Sequence, residues 1–361
     1  MKIGIDASRA FVLQRTGIEE YSYQIIKHLR NKLDKTQVFL YLRKGQKIDF
    51  ALPDNWKIKF IKWPRFWTQI GLSLEMLLRP ADVLFVPAHT APLIHPENTI
   101  VVVHGLEFEI MPEAYSFWGR LYMRASIKNS CRWAKKIIAV SKNTKRDLVR
   151  LYDVPEEKIE VIYEGVNQNF QFSIFNFQSI YNDKILNHKP YLLFVGRLEK
   201  RKNVEGIIEA YKILKEKYDI PHKLILAGKP GFGYPNYKLL ITNYKNDIIL
   251  PGFVTEDEKW ELMKNADIFL FPSFYEGFGL PILEAQALGV PVVTSNISSL
   301  PEVGGEAVAY CNPEEPASIA DSVYELISNK EFRDGIIEKG YENVKKFSWE
   351  LCASEIAKLL N

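Results

Sequence analysis

Short apolar runs alternate with helical periodicity along the whole of this 361-residue chain, and the alternation predicts an α/β fold of two doubly wound parallel-sheet domains. Three observations carry the prediction. Several strand candidates, such as Ile100-Val101-Val102-Val103, are continuous β-branched runs, the pattern of a parallel sheet covered on both faces. The alternation occurs twice, on either side of a polar stretch. The length is also large for a single core.

In chain order, the first half offers strands at 2–7, 38–42, 58–62, 83–87, 100–104, 137–140 and 160–163. Helical periodicity falls at 18–32, 67–78, 116–134 and 142–151. The second half offers strands at 191–195, 223–227, 248–251, 268–271, 290–294 and 307–310. Its helices lie near 203–217, 256–265, 281–288 and 316–328. Between the halves, 169–189 is Phe- and Asn-rich without clear periodicity and reads as a linker. The expected domains are 1–168 and 190–345. A last helix near 348–360 has an apolar face (Trp349, Cys352, Ile356, Leu359), so the 346–361 segment should pack back on the first domain.

Hydrophobic residues make up 47% and charged residues 25%, ordinary for a globular chain, and no apolar run approaches the roughly 18 residues of a membrane span. The start, Met1-Lys2-Ile3-Gly4-Ile5-Asp6, reads as a first strand and lacks the apolar core of a signal peptide. Cys131, Cys311 and Cys352 are far apart and form no CxxC. A reducing, cytoplasmic setting without disulfides or structural zinc follows as an expectation. Net charge is +3 but uneven: residues 1–165 hold 26 Lys and Arg against 18 Asp and Glu, the remainder 21 against 26. A basic first half suits an anionic partner; chance surface variation is the alternative.

The most informative motif is a pair of glutamates. Glu276 and Glu284 are separated by seven residues, in Phe274-Tyr275-Glu276-Gly277-Phe278-Gly279-Leu280-Pro281-Ile282-Leu283-Glu284. The glycines break any continuous helix and Pro281 suits a first turn, so Glu276 belongs to a strand-end loop and Glu284 to the next helix. In open α/β sheets ligands bind at that strand end. Two carboxylates beside loop N–H groups suit a polyhydroxylated ligand.

Arg197 and Lys202 fall on the loop after strand 191–195, where a planar guanidinium and a compact ammonium would suit a diphosphate. Ser299 and Glu302 match a capping box whose helix terminus could receive an anion; an ordinary capped helix is the alternative. Gly17 opens a helix after the first strand and permits close backbone approach, although the surrounding run is not GxGxxG. His104 ends a strand on the side where ligands bind, against the usual structural role of a lone histidine.

In this order and spacing the chain resembles the retaining glycosyltransferases of family 4, which have the GT-B fold. The matching stretches span nearly all of it. They are Thr16-Gly17-Ile18, His104, Ala139-Val140-Ser141, Val195-Gly196-Arg197 with Lys202-Asn203, Gly252-Phe253-Val254, Glu276 with Glu284, Gly289-Val290-Pro291-Val292-Val293 and Leu300-Pro301-Glu302-Val303. The resemblance implies two Rossmann-like domains facing across a cleft, and transfer of a sugar from a nucleotide-diphosphate donor to an acceptor hydroxyl with anomeric retention. It assigns Arg197 and Lys202 to the diphosphate, Glu284 to the ribose, and Glu276 with the Gly277, Phe278, Gly279 and Leu280 backbone to the donor sugar. Gly17, Ser299 and Leu300 become phosphate-side contacts, and Phe253 and Val254 cradle the base. His104 lies by the reacting centre. Glu276, His104, Arg197 and Lys202 form the expected catalytic set. One departure stands out: the family often has Asp after the histidine, and here Gly105 follows, leaving Glu107 or Glu109 as substitutes.

Charge appears on the diphosphate as it leaves, and Arg197, Lys202 and a helix terminus are placed to stabilise it. No Asp-x-Asp occurs, so no metal or other cofactor is expected; the leaving phosphate would help deprotonate the acceptor. The run from His104 to Tyr115 resembles the O-antigen mannosyltransferase branch, making GDP-mannose the leading donor and a glycan or lipid-linked molecule the acceptor. Arg120, Arg124, Lys128 and Arg132 recur every four residues, and Trp63-Pro64-Arg65-Phe66-Trp67 sets aromatics beside bases. Such a surface suits peripheral contact with an anionic membrane on its cytoplasmic face; a solvated helix face is the alternative. Nucleic acid is not expected as a partner. A sugar-nucleotide epimerase or phosphorylase, and a non-catalytic nucleotide- or sugar-binding protein, remain the competing functions.

Overall fold

The computed structural model describes residues 1–167, 189–231 and 241–361. The expected linker, 169–189, lies outside the described residues except for Lys189. The chain divides into two compact units. One comprises Met1–Glu109, Phe117–Gly165 and Phe347–Asn361; the other comprises Ile110–Ser116 and Val166–Lys346.

The first unit is built on seven parallel strands: β1 (Lys2–Asp6), β2 (Gln37–Arg43), β3 (Trp56–Ile61), β4 (Val83–Val86), β5 (Asn98–Val103), β6 (Lys136–Ala139) and β7 (Ile159–Val161). Their order in the sheet is β3-β2-β1-β4-β5-β6-β7. The chain winds one way from β1 to β3 and the other from β4 to β7, so β1 and β4 flank a switch point. The central strands β4 and β5 are almost wholly buried, as the apolar runs Val83–Val86 and Ile100–Val103 require. The carboxy-terminal helix Trp349–Leu360 belongs to this unit and buries Trp349, Cys352, Ala353, Ile356, Ala357 and Leu360. Leu360, rather than Leu359, completes its apolar face.

The second unit has six parallel strands: β8 (Tyr191–Val195), β9 (Lys223–Ala227), β10 (Ile248–Gly252), β11 (Ile268–Phe271), β12 (Val292–Ser295) and β13 (Ala309–Cys311). Their order is β10-β9-β8-β11-β12-β13, with the switch point between β8 and β11. The helix Lys330–Val344 is absent from the sequence expectation. Its buried face consists of Ile336, Gly340, Asn343 and Val344, too few apolar positions to give a helical period. Asn343 holds it instead, donating from Nδ2 to Gln286 Oε1 at 3.0 Å and to the Val303 carbonyl at 2.8 Å.

Candidate active site

The switch point of the second unit brings together Glu276 and Lys202, two of the charged residues singled out in the sequence. The loop after β8 and the loop after β11 leave adjacent strands, and the Phe274 N–H binds the Arg201 carbonyl at 3.0 Å. Glu276 is buried there. Its Oε1 accepts from Lys202 Nζ at 2.5 Å and its Oε2 from Arg201 Nη1 at 2.9 Å. Arg201 also donates to the Tyr275 carbonyl at 2.8 Å, and from Nη2 to Glu199 Oε1 at 2.8 Å. The Lys202 ammonium lies 4.7 Å from the centre of the Phe271 ring. Burial would raise the Glu276 pKa, but Arg201 and Lys202 outweigh it and hold the carboxyl down at about 2. Glu276 is therefore a fixed carboxylate at neutral pH.

Two serines fix the backbone of this residue. Ser298 Oγ accepts the Glu276 N–H at 3.0 Å and donates to its carbonyl at 2.7 Å. Ser299 Oγ lies 2.8 Å from the Glu276 carbonyl oxygen and 2.6 Å from that of Phe278. The Ser299–Glu302 capping box expected from the sequence does not form. Ser299 has helical backbone angles and makes no side-chain cap, because its hydroxyl is engaged with the glutamate loop. The helix that follows, Leu300–Gly304, is only five residues long. Gly279, with φ of +127°, turns the loop into the helix Leu280–Ala287, a conformation that L side chains rarely adopt.

Glu284, on that helix, meets Lys259 at 2.9 Å; Lys259 also meets Glu256 at 2.6 Å. Burial lowers the Lys259 pKa, but the two carboxylates outweigh it and leave the ammonium above its usual range. Beyond β10, Phe253 is exposed, with Lys229 Nζ 4.2 Å from its ring centre, and Val254 is buried. Phe278 and Leu300 are core side chains, so their backbone is what they can offer a ligand. Arg197 is exposed on the β8 loop. Among the described residues no group of three or more His, Cys, Asp and Glu side chains could hold a metal ion.

His104 and Gly17 belong to the first unit. Gly17 is exposed at the start of the helix Gly17–Leu29, with nothing within 4 Å of where a Cβ would sit. The His104 side chain is 8% exposed. Its Nδ1 lies 3.1 Å from Glu164 Oε1 and its Nε2 3.0 Å from the Pro87 carbonyl oxygen. The Tyr21 ring meets it edge-on at 4.5 Å. Neither Glu107 nor Glu109 fills the place expected for it beside the histidine. Glu109 is engaged by Arg124 and by the Tyr152 hydroxyl, the latter at 2.9 Å.

Arg201, Glu199 and Glu164 are among the residues of these clusters that escaped the sequence reading. Arg201 stands between Lys200 and Lys202, and a run of three bases does not say which of them turns inward. Glu199 precedes that run. Glu164 had a readable signal, since it directly follows the predicted strand 160–163.

Two parallel sheets of Rossmann order, with the Glu276 loop at the second switch point, are the architecture of GT-B glycosyltransferases. Residues 15–170 match the family described as Glycosyltransferase Family 4 and residues 179–343 that described as Glycosyl transferases group 1. O-antigen chain mannosyltransferase B of Escherichia coli is 30% identical over 262 residues, 72% of this chain and 69% of that protein. The chain therefore belongs to the glycosyltransferases of this family. Among solved structures, WaaG, a glycosyltransferase involved in lipopolysaccharide biosynthesis, superposes with a TM-score of 0.72 at 16% identity over all of both chains. Anabaena HepE in complex with UDP-glucose gives a TM-score of 0.73 at 19% identity, covering 99% of this chain and 98% of that one.

Proposed function

We propose that this glycosyltransferase moves a hexose, mannose from GDP-mannose as first candidate, to a hydroxyl of a glycan or lipid-linked acceptor in O-antigen-type polysaccharide synthesis. Transfer proceeds with retention and without a metal ion. The carrying observation is Glu276, a buried carboxylate fixed by Arg201, Lys202 and two serines at the switch point of the second unit. Such preorganised charge costs no reorganisation when a donor sugar arrives. Arg197 and Lys202 hold the departing diphosphate, Glu284 the ribose, and Phe253 with Val254 the base. His104 serves the reacting sugar from the first unit. The leaving phosphate takes the acceptor proton, so neither glutamate need act as a base. Mannose is preferred because the Escherichia coli relative is an O-antigen mannosyltransferase.

A thermal-shift screen across GDP-, UDP- and ADP-sugars tests the reading. A donor at a hundred times its Kd stabilises the folded protein by about 2.7 kcal/mol. A rise with GDP-mannose is expected. A rise only with a UDP- or ADP-sugar moves the donor assignment, and no rise with any of them sinks the donor-site reading.

The acceptor end includes an anionic membrane surface. The helix Phe117–Trp133 exposes Phe117, Trp118, Leu121 and Tyr122 together with Lys128 and Arg132. Trp63 and Phe66 are exposed as well, whereas Trp67 is buried, with its indole N–H directed at the Ile61 carbonyl. Arg124 is already paired with Glu109, which reduces the stripe's free charge. No helix among the described residues is long and apolar enough to cross a membrane. Apolar residues beside bases insert into headgroups through burial and charge together. The protein should float with phosphatidylglycerol vesicles at low salt and lose most of that binding in Trp118→Ala/Leu121→Ala. Failure to float with anionic vesicles removes the membrane from the proposal.

A further inference from the structure

Where the family pattern often places Asp beside the histidine, this chain has Gly105, and the first unit supplies a carboxylate from 60 residues further along. We propose that Glu164 is the positioning residue for His104, holding the imidazole through Nδ1 and fixing which ring nitrogen donates; this rests on His104 serving the transfer reaction. Glu164 is 5% exposed and follows β7. The backbone behind it is clamped. A Cβ on Gly165 would lie 2.1 Å from the Trp349 nitrogen and 2.4 Å from the Ser348 carbonyl carbon, so only glycine lets the start of the last helix pack there.

The two partners of the His104 ring, the Glu164 carboxylate and the Pro87 carbonyl, can only accept. A neutral imidazole has one N–H and serves one of them; an imidazolium serves both. The Glu164 carboxylate, 3.1 Å from Nδ1, fixes the ring plane and draws the donated N–H to that nitrogen. The other groups at the ring are poor substitutes. His89 accepts the His104 backbone N–H through Nδ1 at 3.3 Å, and burial, with His104 and Arg9 nearby, pushes its pKa well below the usual value. Tyr21 is kept a neutral phenol by burial and then by Cys352 and Glu164. Cys352 is kept a thiol by burial and then by Glu164 and Glu355. Glu164 is thus the carboxylate set against the ring.

A double-mutant cycle on the full chain tests the inference. His104→Ala and Glu164→Ala should each lower kcat about tenfold or more, and the double variant should be no worse than His104→Ala, because residues acting as a unit are non-additive. Glu164→Gln keeps the shape and loses the charge. It should lower kcat severalfold while leaving the donor KM unchanged, a split that a merely structural role would not give. This variant also covers the case in which Glu164→Ala fails to fold. Additive losses, or a Glu164→Gln kcat identical to wild type, overturn the proposal. Normal turnover by His104→Ala overturns the assignment of His104 itself, and this proposal with it; an impaired His104→Ala with silent or additive Glu164 variants overturns only the role of Glu164.

Discussion

The two units share one sheet plan and place very different chemistry at the strand ends. In the second unit the switch point holds a row of alternating charges, Glu199, Arg201, Glu276 and Lys202, in which every side chain is 10–13% exposed. In the first, the strand-end histidine is closed in by an aromatic ring, a carbonyl and one carboxylate. The topology fixes where a ligand can sit, and the loop residues decide what is done to it. A charge row suits a ligand that carries or develops charge. A confined histidine suits a group that must be held in one orientation.

The contrast breaks most sharply at Glu276. Glu276→Gln keeps the volume but takes the charge from between Arg201 and Lys202. Transfer should fall by about 100-fold or more, the range for losing one preorganised electrostatic contact. Lys202→Ala should fall comparably, with the fold checked by circular dichroism. The corresponding change in the first unit, Glu164→Gln, acts through His104 and should cost far less. Normal turnover in both second-unit variants would refute the donor-site assignment; equal losses in both units would erase the distinction drawn here.

Much of this was legible in the sequence because parallel strands are continuous apolar runs. All thirteen described strands have a counterpart among the runs read from sequence, within a few residues at their ends. The helix Lys330–Val344 was missed because Asn343 and Gly340 hold it by hydrogen bonding and close approach, which leave no apolar period. At the site, the Gly-rich spacing located Glu276. Lys202 and Arg201 both bind Glu276, and the sequence did not single out Arg201; Arg197 is exposed. That choice depends on which side chains turn inward between β8 and its helix, a tertiary matter. Glu164 stood at a readable strand end, but its pairing with His104 did not show in the sequence: sixty residues separate them, and only the β5-β6-β7 pairing brings their strands together.

Acid acting on Glu276, in the second unit, gives the smallest effect. The Glu276 carboxyl has a folded-state pKa of about 2, below its ordinary 4.5. A depressed carboxylate contributes stability that is fully present above its unfolded value and is lost as pH falls through the folded one. The Glu276 contribution should therefore be intact above about pH 4.5 and gone near pH 2. Glu276→Gln has no such group, so the stability difference between wild type and variant should shrink across that window. Tryptophan makes the two units separable. Trp260 is the single tryptophan of the second unit, while Trp56, Trp63, Trp67, Trp118, Trp133 and Trp349 lie in the first. In a background with those six replaced by Phe, Trp260 emission reads the second unit alone. A wild-type-to-variant difference that stays constant from pH 5 to pH 2 would mean that Arg201 and Lys202 do not hold Glu276 ionised in solution.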